Sequence, residues 1–189
     1  MNPPFFRRLR NGEQMEKGRI IFLNGTSSSG KTTLATALRE ALEEPFCYYA
    51  SDQLADAGFR TVKRRIRHSP ASGERGRFFD GFHRSIAAFA EAGNDLIVRH
   101  IVEEQSWADQ LKNLFADLDV FWIGVHAPVD EVDRRERERG NRQIGEARYH
   151  LKTHSFCRYD LEVDTSEPID QLVDRIMTAW NRRRTPSHA

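Results

Sequence analysis

The sequence predicts an α/β fold: a five-stranded parallel sheet with helices on both faces and a helical lid. Three observations lead there. Short apolar runs recur along the chain, with helix-forming amphipathic stretches between them. A glycine- and serine-rich loop, Gly25-Thr26-Ser27-Ser28-Ser29-Gly30-Lys31-Thr32, joins the first apolar run to the first helical stretch. The length of 189 residues suits one domain that can bury a real core.

Met1 to Gly18 is polar, carries Pro3, Pro4, Arg7, Arg8 and Arg10, and reads as a flexible lead-in (residues 1–18). Ile20–Asn24 reads as a buried strand, and Lys31–Leu42 is rich in helix formers. Phe46–Ala50 is the second strand. Asp52 to Glu74 then breaks the rhythm with Pro70, Gly73 and a basic run through Arg60, Lys63, Arg64, Arg65 and Arg67, so residues 52–75 read as an insertion. Arg77–Ala92 is a helix whose Phe78, Phe79, Phe82 and Phe89 follow helical spacing, as core or as a substrate wall. Asp95–His100 is the third strand. Trp107–Phe115 is a helix with Ser106 as its N-cap. Asp119–Val125 is the fourth strand, and Val129–Arg139 and Gly145–Thr153 are helices on either side of Gly140. Leu161–Asp164 is the fifth strand, and Ile169–Arg182 is a last helix opened by Pro168. The domain so defined runs over residues 19–182, and 183–189 is a flexible tail.

Composition narrows the class. A net charge of +1 gives no global attraction to nucleic acid or an anionic membrane. No apolar run is long enough to span a bilayer, and Met1 to Gly18 lacks a signal-peptide core. Cys47 and Cys157 form no CxxC pair and read as free thiols, which points to a reducing cytoplasm. The oligomeric state stays open, a homo-oligomer included.

The loop carries the chemistry. Gly25 and Gly30 let the backbone curl so that amides from Thr26, Ser27, Ser28 and Ser29 onward point at a phosphate chain. Lys31 supplies a cation for the β- and γ-phosphates, and the Thr32 hydroxyl is placed for Mg²⁺. Thr33 follows as a further cofactor-binding position, at the positive end of the helix. The implied cofactors are ATP and Mg²⁺. Ligands bind beyond the carboxyl ends of strands in an open parallel sheet. That rule gathers Asn24, Ser51, Asp52, Arg99, His100, His126, Asp164 and Thr165 around one mouth.

Asp52 is the candidate proton acceptor, since it ends the strand after the loop helix; helix N-capping is its structural alternative. Arg134 to Arg142 reads Arg-Arg-Glu-Arg-Glu-Arg-Gly-Asn-Arg. A helix, a glycine break and flanking arginines suit a lid over residues 129–153, with Arg139 and Arg142 brought to the transferring group. Arg134, Arg135 and Arg137 read instead as a solvated, salt-bridged face with pairs such as Arg134–Glu138. The third strand ends in Arg99-His100 and lacks the expected metal-holding acid. Glu103, Glu104 or Asp52 is left for that task, and Arg99 is free to meet a phosphate or an acidic substrate. His100 fits a buried structural histidine or a substrate contact. His150 and His154 lack a third partner for zinc.

Several segments together resemble the chloramphenicol phosphotransferase-like group of P-loop kinases. They are Ile20-Ile21-Phe22-Leu23-Asn24 with the loop after it, Ser51-Asp52-Gln53-Leu54, Asp117 to Val125, Glu138-Arg139-Gly140-Asn141-Arg142-Gln143-Ile144-Gly145, and Tyr159-Asp160-Leu161-Glu162-Val163-Asp164-Thr165-Ser166. The resemblance implies a P-loop NTPase fold and ATP-dependent phosphorylation of a small-molecule hydroxyl acceptor. It implies that Asp52 accepts the proton, that Arg139 and Arg142 are lid arginines, and that Asp164 and Thr165 approach the adenine. The chain departs from the family at Arg99 and in its basic stretch from Gly58 to Glu74, with Arg75 beside it, which suits an acidic or phosphorylated acceptor. A nucleotide kinase and a non-catalytic ATP-binding sensor are the alternatives, and the absence of an Asn-Lys-x-Asp signature argues against a GTPase switch.

Overall fold

The computed structural model describes residues 16–59, 73–139 and 145–184. The lead-in before residue 16, the basic run over 60–72, Gly140 to Ile144 with Arg142, and the tail from residue 185 lie outside the described residues.

The sheet has the order β2-β3-β1-β4-β5, and every neighbouring pair is parallel. Its strands are β1 (Ile20–Asn24), β2 (Cys47–Ala50), β3 (Leu96–His100), β4 (Val120–His126) and β5 (Leu161–Asp164). The helices are α1 (Lys31–Ala41), α2 (Ser51–Leu54), α3 (Glu74–Glu91), α4 (Gln105–Leu114), α5 (Val129–Arg139), α6 (Glu146–His150) and α7 (Ile169–Arg184). β1 is central, and all of its residues are buried.

Alternation along the strands divides the core in two. Ile21, Leu23 and Ile97 pack with Leu34 and Leu38 of α1 and with Trp180 of α7. Ile20, Phe22 and Val98 pack on the other face with Phe82 of α3 and with Trp107 and Leu111 of α4. These two apolar layers explain why helices cover both faces, as the pattern of runs predicts.

Three boundaries differ from the sequence reading. Glu104, with extended backbone (φ −143°, ψ 149°), takes the N-cap position of α4. Its carbonyl accepts from Trp107 and Ala108, so Ser106 is not the cap and sits in the first turn. A short helix, α2, follows β2 directly and leads into a wider π turn over Ala55–Phe59. The second helix after Gly140 is α6, continued by a 3₁₀ turn over Leu151–Ser155.

A clasp holds the chain between α6 and β5 against the sheet. Gly124 of β4 lies under the ring of Tyr159, and a Cβ there would come within 2.6 Å of that ring. The Tyr159 hydroxyl accepts from Asn24 Nδ2 at 2.7 Å and hydrogen-bonds His154 Nδ1 at 2.9 Å. Burial, then the field of His126, lowers the His154 pKa to about 4.

Two outcomes follow from the clasp. Gly124→Ala, which forces the anchored ring to move, is expected to cost about 1–3 kcal/mol, read as a lower Tm. Between the ordinary histidine pKa of 6.5 and about 4, the unfolded chain binds a proton that folded His154 refuses. The stabilisation is therefore whole above 6.5 and lost as pH falls towards 4. Thermal melts across that window should show the decline, and His154→Gln should make it shallower.

Candidate active site

The loop after β1 folds as the sequence requires. Gly30 sits in the left-handed region (φ 86°), where a side chain is strained, and a Cβ there would press on Thr165 at 3.1 Å. Ser28 is also left-handed, at φ 61°. Its hydroxyl oxygen is buried with no hydrogen-bond partner among the described residues. The Lys31 ammonium is buried against its own loop, donating to the Gly25 carbonyl at 2.8 Å, to the Thr26 carbonyl and to Ser29 Oγ at 3.3 Å. A curled backbone, a buried cation and an orphaned hydroxyl together fit an oxyanion chain such as a nucleotide's phosphates. Thr32 lies on the rim of the same loop.

Beside the loop is a cleft of about 110 Å³ lined by Ser27 to Thr32 together with Ser51, Asp52, Arg99, His100 and Glu103. Register explains why they meet. Ala50 of β2 pairs with Arg99 of β3, and Asn24 of β1 pairs with His100. Asp52, two residues past Ala50, is thereby brought to Arg99, whose Nη2 donates to both of its carboxylate oxygens. Arg99 Nε donates to the Tyr48 hydroxyl at 2.6 Å. Burial opposes the charge on Arg99, but the Asp52 hydrogen bond and field outweigh it and raise its pKa. Asp52 is not the cap of α2: Ala50 holds that position, and the Gln53 side chain accepts from its amide at 2.9 Å.

Of the candidate acids beyond β3, Glu103 reaches the cleft. Arg75 Nη2 donates to it at 2.6 Å, and His150 Nε2 lies 3.6 Å away. Burial pushes the Glu103 carboxyl up, but His150 and Arg75 more than offset this and hold it below its usual range. Glu104 faces Ser106 instead. Arg75 is thus committed to Glu103 and to the rings of Phe79 and Trp107. His150 and His154 have separate partners, and no group of three metal-binding side chains exists among the described residues.

A second cleft of about 390 Å³ opens on the other side of the loop, lined by Thr33, Arg135, Glu138, Thr165, Ile169 and Leu172 among others. Thr165 Oγ1 donates to the Ser29 carbonyl at 2.9 Å. Arg135 donates to Thr165 Oγ1 at 2.9 Å and to its carbonyl at 3.1 Å. Arg135 therefore turns into the cleft, which corrects its reading as part of a solvated face. Arg134 does pair with Glu138 on the surface, as that reading expects. Asp164 turns its carboxylate to the Ser166 amide at 2.8 Å, within the turn that leads to α7. Arg139 is the last residue of α5.

One residue escapes the sequence reading altogether. Glu136 of α5 is 1% exposed and accepts from the amides of Gly145 (2.6 Å) and Ala147 (2.9 Å). It thereby satisfies the open N-terminus of α6. The Ala147 carbonyl in turn accepts from the Thr26 hydroxyl, so the phosphate loop, α6 and α5 form one connected unit. The available signal was its spacing of four from the buried Val132, which puts both on one helix face.

Comparisons with known proteins bear on the family and the fold. The family model described as chloramphenicol phosphotransferase-like protein matches residues 18–181. A Mycobacterium tuberculosis (strain H37Rv) protein named "Putative O-phosphotransferase" is 28% identical, over 95% of this chain and 92% of its own length. Among solved structures, the M. tuberculosis APS kinase bound to AMPPNP and APS superposes with a TM-score of 0.66 at 20% identity, covering 87% of this chain and 98% of that one. The tunicamycin resistance protein of Deinococcus radiodurans gives 0.63 at 20%, covering 86% and 95%. A gluconokinase from Sinorhizobium meliloti gives 0.61 at 16%, covering 89% and 94%. The likeness to these three is one of fold.

Glu136→Gln leaves one acceptor oxygen where two amides need one each. It is expected to weaken the α5–α6 junction by about 1–3 kcal/mol. The check is hydrogen exchange, which should accelerate at the Gly145 and Ala147 amides more than in the sheet.

Proposed function

This chain belongs to the chloramphenicol phosphotransferase-like family, a P-loop phosphotransferase by that membership, and from that premise we propose that it moves the γ-phosphate of ATP to a hydroxyl of a small molecule. The observation that carries the proposal is the shared cleft: Asp52 and the phosphate loop with Lys31 line the same 110 Å³ space. A carboxylate beside the phosphate end of a nucleotide is placed to orient an incoming hydroxyl and take its proton.

In this reading Gly25 to Thr33 hold the phosphates, with amides from the curled loop and with Lys31 leaving its own carbonyls for phosphate oxygens. Ser28 gains a partner for its buried hydroxyl. The 390 Å³ cleft receives the base, with Arg135 and Thr165 on its wall and Asp164 shaping the turn behind them. Thr32 and Glu103 offer hard oxygen donors suited to Mg²⁺, which keeps waters and phosphate oxygens in most of its coordination positions. When bound, that ion neutralises charge on the transferring group.

Asp52 turns one oxygen from Arg99 to the acceptor hydroxyl as the acceptor enters. Arg99 stays beside it and balances the charge of the site. Arg139 and Arg142, flanking the glycine break after α5, close over the transferring phosphoryl group and supply guanidinium charge as it develops. The acceptor occupies the cleft beside Asp52 and Phe79.

The experiment is transfer from radiolabelled ATP to a panel of hydroxylated acceptors, with chloramphenicol and acidic hydroxy compounds included. Wild type is expected to label at least one of them. Asp52→Asn should lower kcat by roughly 10²- to 10⁴-fold while ATP affinity, read by calorimetry, stays unchanged. Tight ATP binding without transfer to any acceptor would instead support a nucleotide sensor.

A further inference from the structure

Behind the phosphate cleft, on the face covered by α3 and α4, two histidines are buried together. His83 is fully buried and His100 is 3% exposed. Their Nε2 atoms are 3.0 Å apart. His83 Nδ1 lies 2.8 Å from Gln110 Oε1. Gln110 Nε2 donates to Asp80, whose carboxylate also takes Arg84 Nε at 3.0 Å to each oxygen.

The protons along this chain are forced one after another. Arg84 holds the Asp80 carboxyl below its usual range, so Asp80 only accepts. Gln110 must then give its NH₂ to Asp80 and present its oxygen to His83. An amide oxygen has no proton, so His83 Nδ1 carries one. Burial lowers the His83 pKa, which leaves its ring neutral and its Nε2 bare. That bare nitrogen takes the proton of His100 Nε2. Burial, and then the charges of Lys31, Arg75 and Arg99, hold the His100 pKa well below its usual value, so its ring is neutral too. Its Nδ1 is therefore an obligate acceptor.

No donor meets it. His100 Nδ1 is buried and without a hydrogen-bond partner among the described residues. The ring is fixed by stacking on Trp107 (5.8 Å, 17°) and by the edge of Phe22 (6.3 Å, 86°). His100 also lines the cleft that holds Asp52 and Lys31. A buried lone pair without a donor is expensive, and on a ring that lines a ligand cleft it points to a contact supplied by the ligand.

We propose that His100 Nδ1 accepts a hydrogen bond from the acceptor molecule, which therefore carries a second O–H or N–H besides the hydroxyl that is phosphorylated. The inference rests on the phosphotransferase reading above. His83, Gln110 and Asp80 are positioning residues that hold His100 in one tautomer. A ring so held has no proton for a carbonyl, carboxylate or phosphate oxygen at that place, and it rejects an acceptor that presents one there.

The test has two arms. In nitrogen-15-labelled full-length protein at neutral pH, long-range proton–nitrogen correlation is expected to show His83 protonated at Nδ1 and His100 at Nε2. The opposite tautomer at His100, or a charged ring, overturns the proposal. Each acceptor phosphorylated in the panel is then compared with its analogue methylated at the second O–H or N–H. On wild type the analogue should raise KM roughly tenfold with little change in kcat. His100→Asn keeps an acceptor oxygen near Nδ1 and should keep most of that preference. His100→Gln keeps only a donor near Nε2 and should lose it. The reverse order marks a role confined to holding His83 and overturns the proposal, as do wild-type rates that ignore the methyl group. Labelling of no acceptor overturns the phosphotransferase reading itself, and this inference with it, whatever tautomer the spectra show.

Discussion

A buried amide at the end of the central strand ties the site together. Asn24 is fully enclosed. Its oxygen accepts from the Val102 amide at 3.0 Å and lies 3.0 Å from the Thr153 hydroxyl, and its nitrogen donates to Tyr159. One side chain therefore fixes the segment after β3, the turn that continues α6, and the lead into β5. Two of these lead straight to the clefts, through Glu103 next to Val102 and Thr165 just past β5. An amide suits the place because it donates and accepts at once in a space with no water to share.

The two arms of the site are built differently. Around the glycine loop the contacts run to backbone carbonyls and hydroxyls, set by the curl of the loop and by Thr165 behind it. Around Asp52 they are ionic, with Arg99 and Arg75 each pairing a carboxylate. Alternation along β3 sends Arg99 to one side of the sheet and His100 to the other. Adjacent residues thus serve an ion pair and an apolar pocket within one cleft.

The sheet was legible because its signals are local. Apolar runs, the glycine loop and Pro168 each mark an element within a few residues, and the five strands fall where those marks put them. What escaped depends on neighbours distant in sequence. The Arg99–Asp52 pair requires that β2 lie beside β3, and nothing in either strand announces that order. Arg135 has a partner four residues back, Glu131, which is the pattern of an exposed helix; its second partner, Thr165, lies thirty residues on. Glu136 was lost among the arginines around it, because charge normally marks the wet side of a helix. The N-cap of α4 was misplaced by two residues for a lesser reason: Ser106 has the right chemistry, but the backbone turns at Glu104.

The Arg99–Asp52 pair bears on economy as well as on catalysis. With Asp52 as the proton acceptor, as proposed, a carboxylate next to a bound nucleotide risks spending the nucleotide on water. Here both oxygens of that acceptor are engaged by one guanidinium nitrogen while the enzyme waits. On that reading a substrate that fills the cleft brings several contacts of its own to offset separation of the pair, which a single water molecule does not. On the proposed reading the guanidinium is a safety catch that distinguishes the intended recipient from solvent before any bond to phosphorus forms.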